Sequence, residues 1–138
     1  MAAWLARAGH AVVLTEKRPT ARHKACGDVV TPRALGELGQ LGIDGMAIGG
    51  HRLSGVHLVH DQREVSVPWP RREGLPDHGM VLRRDRLDQH LRDIAADAGA
   101  TVLMGHEANT PIVERGFVRG AAFGGDDAFG GGTAEVRA

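Results

Sequence analysis

A continuous apolar stretch, Ala11-Val12-Val13-Leu14, sits inside His10–Glu16, a segment that ends on an acid. Apolarity that runs on rather than alternating predicts a parallel strand covered on both faces. Ahead of it, Met1-Ala-Ala-Trp-Leu-Ala-Arg-Ala-Gly9 is rich in helix formers and closes on a glycine where a helix C′ residue belongs. No Ser, Thr, Asp or Asn stands before it, so it reads as the second half of a helix. Residues 17–30 are polar and basic, contain Pro19 and Gly27, and predict a loop. Thr31-Pro32 then opens a short helix, Thr as N-cap and Pro at the first helical position, with Leu35, Leu38 and Leu41 as a narrow apolar stripe.

Beyond Arg52 the pattern changes to strands. Leu53, Val56, Leu58 and Val59 mark one strand, Val65 and Val67 the next, and Asp61-Gln62 a turn between them. Pro68, Pro70 and Pro76 make 68–78 a loop. Met80-Val81-Leu82 predicts a short strand, and Asp85 a cap for a helix running through Ala98 with Asp88 at N3. Leu87, Leu91, Ile94, Ala95 and Ala98 fall on one face of that helix, and Gly99 ends it. Thr101–Met104 predicts a strand, and Pro111–Glu114 with Phe117–Phe123 a hairpin around Arg115-Gly116. Residues 124–132 are Gly- and Asp-rich and read as a flexible turn, after which Thr133–Ala138 resumes strand character. The alternation of strands and helices predicts an α/β fold.

Composition narrows the classes. Lys+Arg and Asp+Glu both number 17, which excludes a strongly basic nucleic-acid module, so no nucleic-acid partner is expected. One cysteine excludes an intramolecular disulfide framework and a multi-cysteine zinc site, and the scattered histidines predict no metal. No apolar run approaches the ~20 residues of a membrane span, and the N-terminus lacks the features of a signal peptide. The expectation is a soluble intracellular protein. Glycine, at 20 of 138 residues, predicts many turns and a loosened stand-alone core.

Three places carry candidate chemistry. Glu16 ends a strand that follows a helix, where an acid of a dinucleotide-binding βαβ unit accepts a ribose hydroxyl. The phosphate-cradling glycines of such a unit lie about 20 residues earlier, which here falls before Met1. The competing reading of Glu16 is a solvated strand-end acid. Lys24-Ala-Cys26-Gly27-Asp28 sets a cysteine in an electropositive loop, against the plainer reading of a small buried residue at a tight turn. Arg83-Arg84-Asp85-Arg86-Leu87-Asp88 lies at a strand-to-helix junction, where arginine offers a forked donor to a pyrophosphate; otherwise it is a solvated charge run. Trp69, between prolines, reads as loop packing rather than a stacking platform.

Together these residues resemble a known family. Trp4-Leu5-Ala6-Arg7-Ala8-Gly9-His10-Ala11-Val12-Val13-Leu14-Thr15-Glu16-Lys17-Arg18 is similar to the end of the first βαβ unit of FAD-dependent oxidoreductases. Lys24-Ala25-Cys26-Gly27-Asp28 followed by Thr31-Pro32-Arg33-Ala34 resembles the signature of the geranylgeranyl reductase-type branch. Arg84-x-x-Leu87-Asp88-x-x-Leu91 and Ala95-x-x-Ala98-Gly99-Ala100 resemble the family's second block.

The resemblance implies a partial Rossmann-like FAD-binding domain with a β-rich insertion. Residues 1–42 and 79–138 would belong to the FAD-binding part, the latter with a β-hairpin appendage, and 43–78 would begin the substrate-domain insertion. It implies FAD as cofactor, with NADPH or another electron donor, and an isoprenoid substrate whose carbon–carbon double bonds are reduced. Glu16, with Lys17 and Arg18, would meet the adenosine ribose; Lys24 and Arg84 would line the FAD path; Cys26, Gly27 and Asp28 would approach the flavin and substrate. It implies a cytoplasmic protein, with peripheral membrane contact suggested by lipid substrates. The family's Gly-rich loop and its later Asp-Gly motifs have no counterpart in residues 1–138, so the chain is expected to be truncated at both ends and inactive alone. The alternatives are part of an FAD-dependent aromatic-ring monooxygenase, or a non-catalytic remnant.

Overall fold

The computed structural model describes residues 1–20, 25–125 and 134–137. In chain order the elements are α1 (Ala2–Arg7), β1 (Val13–Glu16), β2 (Val29–Val30), α2 (Pro32–Gln40), β3 (His51–Leu53), β4 (Gly55–His60), β5 (Arg63–Pro68) and β6 (Gly79–Val81). They continue with α3 (Arg84–Asp97), β7 (Thr101–Met104), β8 (His106–Glu114), β9 (Phe117–Gly125) and β10 (Ala134–Arg137). The fold is mixed α/β, with one parallel strand pair and three antiparallel sheets among the described residues. Two compact units form: Met1–Arg22 with Leu91–Ala138, and His23–His90 between them in sequence.

In the first unit β1 and β7 pair in parallel, Val13 opposite Thr101 through Glu16 opposite Met104. The strand predicted over His10–Glu16 is therefore shorter at its start. It is also less covered than its apolarity predicts: Val13 is exposed and Leu14 to Glu16 are half-buried, because among the described residues β7 is its one strand neighbour. Both glycines predicted to end helices adopt left-handed backbone, Gly9 at φ +85° and Gly99 at φ +98°. β8, β9 and β10 form an antiparallel meander. Its first turn has Arg115 at φ 52° and Gly116 at φ 81°, the left-handed pair that a two-residue hairpin loop requires. β8 starts at His106, five residues before the predicted strand. The Gly- and Asp-rich segment lies outside the described residues from 126 onward. Ala3, Ala6, Ala95, Ala100 and Phe123 are buried, and so is His106. The His106 ring stands edge-on to Phe123, 6.1 Å between centroids, and its Nδ1 lies 2.8 Å from the Met104 carbonyl. A carbonyl only accepts, so Nδ1 carries the proton.

The second unit holds a sheet in the order β2-β6-β3, the β4–β5 hairpin, α2 and the first turns of α3. Thr31 caps α2 as predicted, its Oγ1 accepting the Ala34 N–H at 3.4 Å, with Pro32 in the first turn. Leu38 and Leu41 are buried beside Val30, Ile43, Met80, Leu87 and the fully buried Leu82. Three expectations need correction. The predicted loop 17–30 contains β2, whose two residues pair with β6. The single strand predicted across Leu53–Val59 breaks at Ser54, since β3 pairs with β6 whereas β4 pairs with β5. Finally, α3 begins at Arg84, so Asp85 lies inside the first turn instead of capping it. Trp69 packs on Gly79, where an added Cβ would come within 2.9 Å of the indole. Its ring N–H has no hydrogen-bond partner among the described residues.

Candidate functional site

The predicted site residues fall into two groups, one in each unit. In the first, the β1–β7 ladder carries Glu16 to a strand end. One carboxylate oxygen, Oε1, accepts the backbone N–H of Arg18 at 3.1 Å. The Arg18 carbonyl in turn accepts the Gly105 N–H at 3.2 Å, tying the turn after β1 to the turn after β7. Lys17 reaches Glu107 at 3.4 Å, with both side chains about half exposed. Glu16 thus keeps lone pairs for a second donor while its orientation is fixed by a backbone bond. A carboxylate held so can accept from a sugar hydroxyl.

The second group surrounds the start of α3. Cys26 is an exposed free thiol. Asp28 has φ 54°, a left-handed conformation uncommon outside glycine and easiest for Asp and Asn. Its carbonyl accepts the Leu82 N–H at 2.8 Å, extending the β2–β6 pairing by one bond. That bond holds the loop against the segment leading into α3. Arg84 Nη1 consequently lies 3.9 Å from Cys26 Sγ. A Cβ added to Gly27 would meet nothing within 4 Å, so the space beside this residue is open. Lys24 lies outside the described residues.

Asp88, which the sequence placed only as an N3 acid, grips Arg84 from one helical turn on. Arg84 Nε donates to one of its oxygens at 3.0 Å and Nη2 to the other at 3.4 Å. This hydrogen bonding, and secondarily the Cys26 contact, raises the Arg84 pKa above its ordinary value. Arg83 pairs instead with Asp85, through Nε at 3.1 Å and Nη2 at 2.5 Å, which likewise raises its pKa. Both neighbouring arginines are thus clamped by a carboxylate of α3, and they differ in what they reach on the loop: Arg84 lies at the Cys26 thiol, and Arg83 feels the charge of Asp28. The i,i+4 spacing of Arg84 and Asp88 was the sequence signal for the clamp. The backbone of Asp28 had no such signal.

Among the described residues no helix is long and apolar enough to cross a membrane. No family model matches the chain. It is 39% identical over 107 residues to a menaquinone reductase of Mycobacterium tuberculosis, a match covering 78% of this chain and 26% of the relative. A menaquinone reductase of Mycolicibacterium smegmatis is 38% identical over 104 residues, covering 75% of this chain and 25% of that protein. The chain thus spans about a quarter of the length of these curated relatives. A geranylgeranyl bacteriochlorophyll reductase-like protein from Thermoplasma acidophilum superposes with a TM-score of 0.78 at 27% identity, covering 99% of this chain and 33% of that one. A myxobacterial chondrochloren halogenase, of the FAD-dependent halogenases, superposes at 0.81 with 22% identity, covering 99% of this chain and 32% of its own. That likeness is one of fold.

Proposed function

The chain belongs with the geranylgeranyl reductase-type FAD-dependent oxidoreductases, and on that premise we propose that it forms part of a flavoprotein reducing carbon–carbon double bonds in the isoprenoid chain of a quinone. The observation carrying this reading is the 39% identity over 107 residues to a protein named for reducing menaquinone. In this reading the chain is a partial Rossmann-like FAD-binding domain, residues 1–42 and 79–138, with 43–78 opening a β-rich substrate domain.

Taken unit by unit, the residues present suit separate parts of an FAD. Glu16 is a fixed carboxylate at a strand end, the acceptor that a ribose needs, and Lys17 and Arg18 flank it. Arg84 offers a guanidinium aligned by Asp88, suited to the flank of a pyrophosphate; Lys24 would join it by the family resemblance alone. When bound and reduced by NADPH or another donor, FAD supplies the hydride equivalent for double-bond reduction. Cys26, Gly27 and Asp28 would form the wall nearest flavin and substrate. There the Asp28–Leu82 bond holds the loop, open space beside Gly27 admits close approach, and Arg84 keeps positive charge beside the thiol.

The test is expression of the complete reading frame, a visible spectrum, and incubation with menaquinone and a reductant under anaerobic conditions. Bound flavin and a product carrying added hydrogen across a side-chain double bond are expected. A hydroxylated product in air would move the assignment to an aromatic-ring monooxygenase, and a colourless protein that titrates no FAD would make it a remnant.

A further inference from the structure

The β4–β5 hairpin carries a side-chain cluster that the reductase reading does not use. Its register sets His57 directly opposite Ser66, and Val59 opposite Glu64. Residues two apart on a strand share a face, so His57, Glu64 and Ser66 stand on one side of the ribbon. There His57 Nδ1 lies 2.8 Å from Ser66 Oγ, and its Nε2 lies 3.2 Å from Glu64 Oε2. An ionised carboxylate only accepts, so in the neutral ring Nε2 carries the proton and donates to Glu64. Nδ1 is then an acceptor, and the Ser66 hydroxyl donates to it. Nucleophile, base and a group that fixes the tautomer of the base thus stand in hydrogen-bonded order. All three residues belong to one hairpin, Gly55–His60 with Arg63–Pro68, so no other element is needed to bring them together.

A cavity of about 230 Å³ opens beside the cluster, and His57 and Ser66 line it together with Ser54, Gly55, Val67 and Pro68. Position 55 accepts no side chain, because an added Cβ would collide with the Val67 carbonyl. The volume is below the ~300–1,000 Å³ of sites for larger ligands, which suits a short acyl group. The chain has two serines, Ser54 and Ser66, and both line this cavity. Among the described residues only Ser66 of the two is hydrogen-bonded to a histidine. The pair is therefore its own control: one hydroxyl with a base, and one in the same cavity without.

We propose that Ser66 is a nucleophile toward carboxylic esters of short acyl groups, with His57 as its general base and Glu64 as the residue that positions His57. Ser66 Oγ attacks the ester carbonyl carbon while its proton passes to His57 Nδ1. The adduct expels the alkoxide, which takes that proton from Nδ1, and acyl-Ser66 remains. Water then attacks the acyl carbon, its proton passing through Nδ1 to Ser66 Oγ as the acid leaves. The net change is ester plus water to carboxylic acid plus alcohol, with no oxidant or reductant. Activated esters, whose leaving group departs readily, ask least of so open a site, where the His57 and Glu64 side chains are 53% and 65% exposed. The inference stands on the hairpin alone and is independent of the reductase reading.

The test uses the 138-residue chain without flavin or quinone, p-nitrophenyl acetate as substrate and a fluorophosphonate as covalent probe. Nitrophenol release above the buffer rate is expected, with a probe adduct that peptide mass spectrometry places on Ser66 and not on Ser54. Ser66→Ala should abolish the adduct and most of the release. His57→Ala should slow labelling by at least about a hundredfold, the usual share of a general base. Glu64→Gln should lower kcat about two- to fivefold at unchanged KM, the scale of an exposed charge pair. A carboxylate that only braced the hairpin would leave kcat where it was. Val65→Thr, on the opposite face, should change nothing, and circular dichroism checks that each variant keeps its fold. An unlabelled chain, equal adducts on both serines, or His57→Ala labelling at the parent's rate would overturn the proposal. So would nitrophenol release that persists in Ser66→Ala, which exposed imidazoles alone would give. The three residues would then be a cross-strand hydrogen-bond chain and nothing more.

Discussion

The two groups of candidate site residues are held by different means. Glu16, Lys17 and Arg18 follow the end of a parallel strand pair, and their placement comes from four consecutive ladder positions, Val13–Glu16 against Thr101–Met104. Cys26, Asp28 and Arg84 depend on one backbone bond between Asp28 and Leu82, one left-handed residue, and one side-chain clamp. The ladder group is redundant: losing any one side chain leaves the others in register. The loop group is serial, since each contact positions the next. Serial sites are more sensitive to single substitutions, and to substitutions beneath them.

The largest test of that difference lies under the loop group. Leu82 is fully buried and adjoins the Asp28 bond, so Leu82→Ala should destabilise the chain by about 2–5 kcal/mol in urea unfolding. Val13→Ala, at a 38% exposed position under the ladder group, should cost far less. Equal losses would erase the distinction. Next comes the clamp. In the flavin-binding protein, Arg84→Ala should weaken FAD by about 1.5–3 kcal/mol, ten- to a hundredfold by titration, through loss of a charge-assisted contact. Arg83→Ala, which leaves the Arg84–Cys26 contact in place, should change affinity little. Equal affinities would sink the separate role given to Arg84. Smaller still, Thr31→Ala removes the α2 cap and should lower stability by about 1 kcal/mol, measurable by thermal unfolding. Asp28→Gly should go the other way, gaining about 0.5–1 kcal/mol by relieving left-handed strain if the loop bond survives. A loss there would show that the Asp28 side chain itself supports the loop. The smallest effect belongs to the ladder group, where Lys17→Ala breaks an exposed pair with Glu107 and should move stability by under about 0.5 kcal/mol.

Much of this was legible because it is local. The Thr31-Pro32 cap, the Arg115-Gly116 turn, the Thr101–Met104 strand and the Leu87–Ala95 face each follow from residues within a few positions of one another. What escaped depends on distant partners. β2 is two residues long and shows no periodicity; it is a strand only because β6 lies beside it. The apolar pattern runs across Ser54 without a mark, yet the pairing partner changes there. The site divides the same way. Glu16 was readable as a strand-end acid, and Arg84 as the arginine of a helix start. The Asp28 backbone and the contact between Arg84 and Cys26 arise from tertiary placement, which spacing along the chain does not encode.

The first unit is discontinuous, and that has a cost during synthesis. β1 leaves the ribosome before the second unit, but β7, the strand it pairs with among the described residues, follows only after that unit has been made. At about 5–20 residues per second, the Val12-Val13-Leu14 segment waits on the order of ten seconds for β7. The second unit has no such delay, because β2, β6 and β3 all lie within one continuous stretch. Nascent chains should therefore acquire a protected second unit while the β7 side of β1 is still unpaired, available to a holdase or to a neighbouring nascent chain.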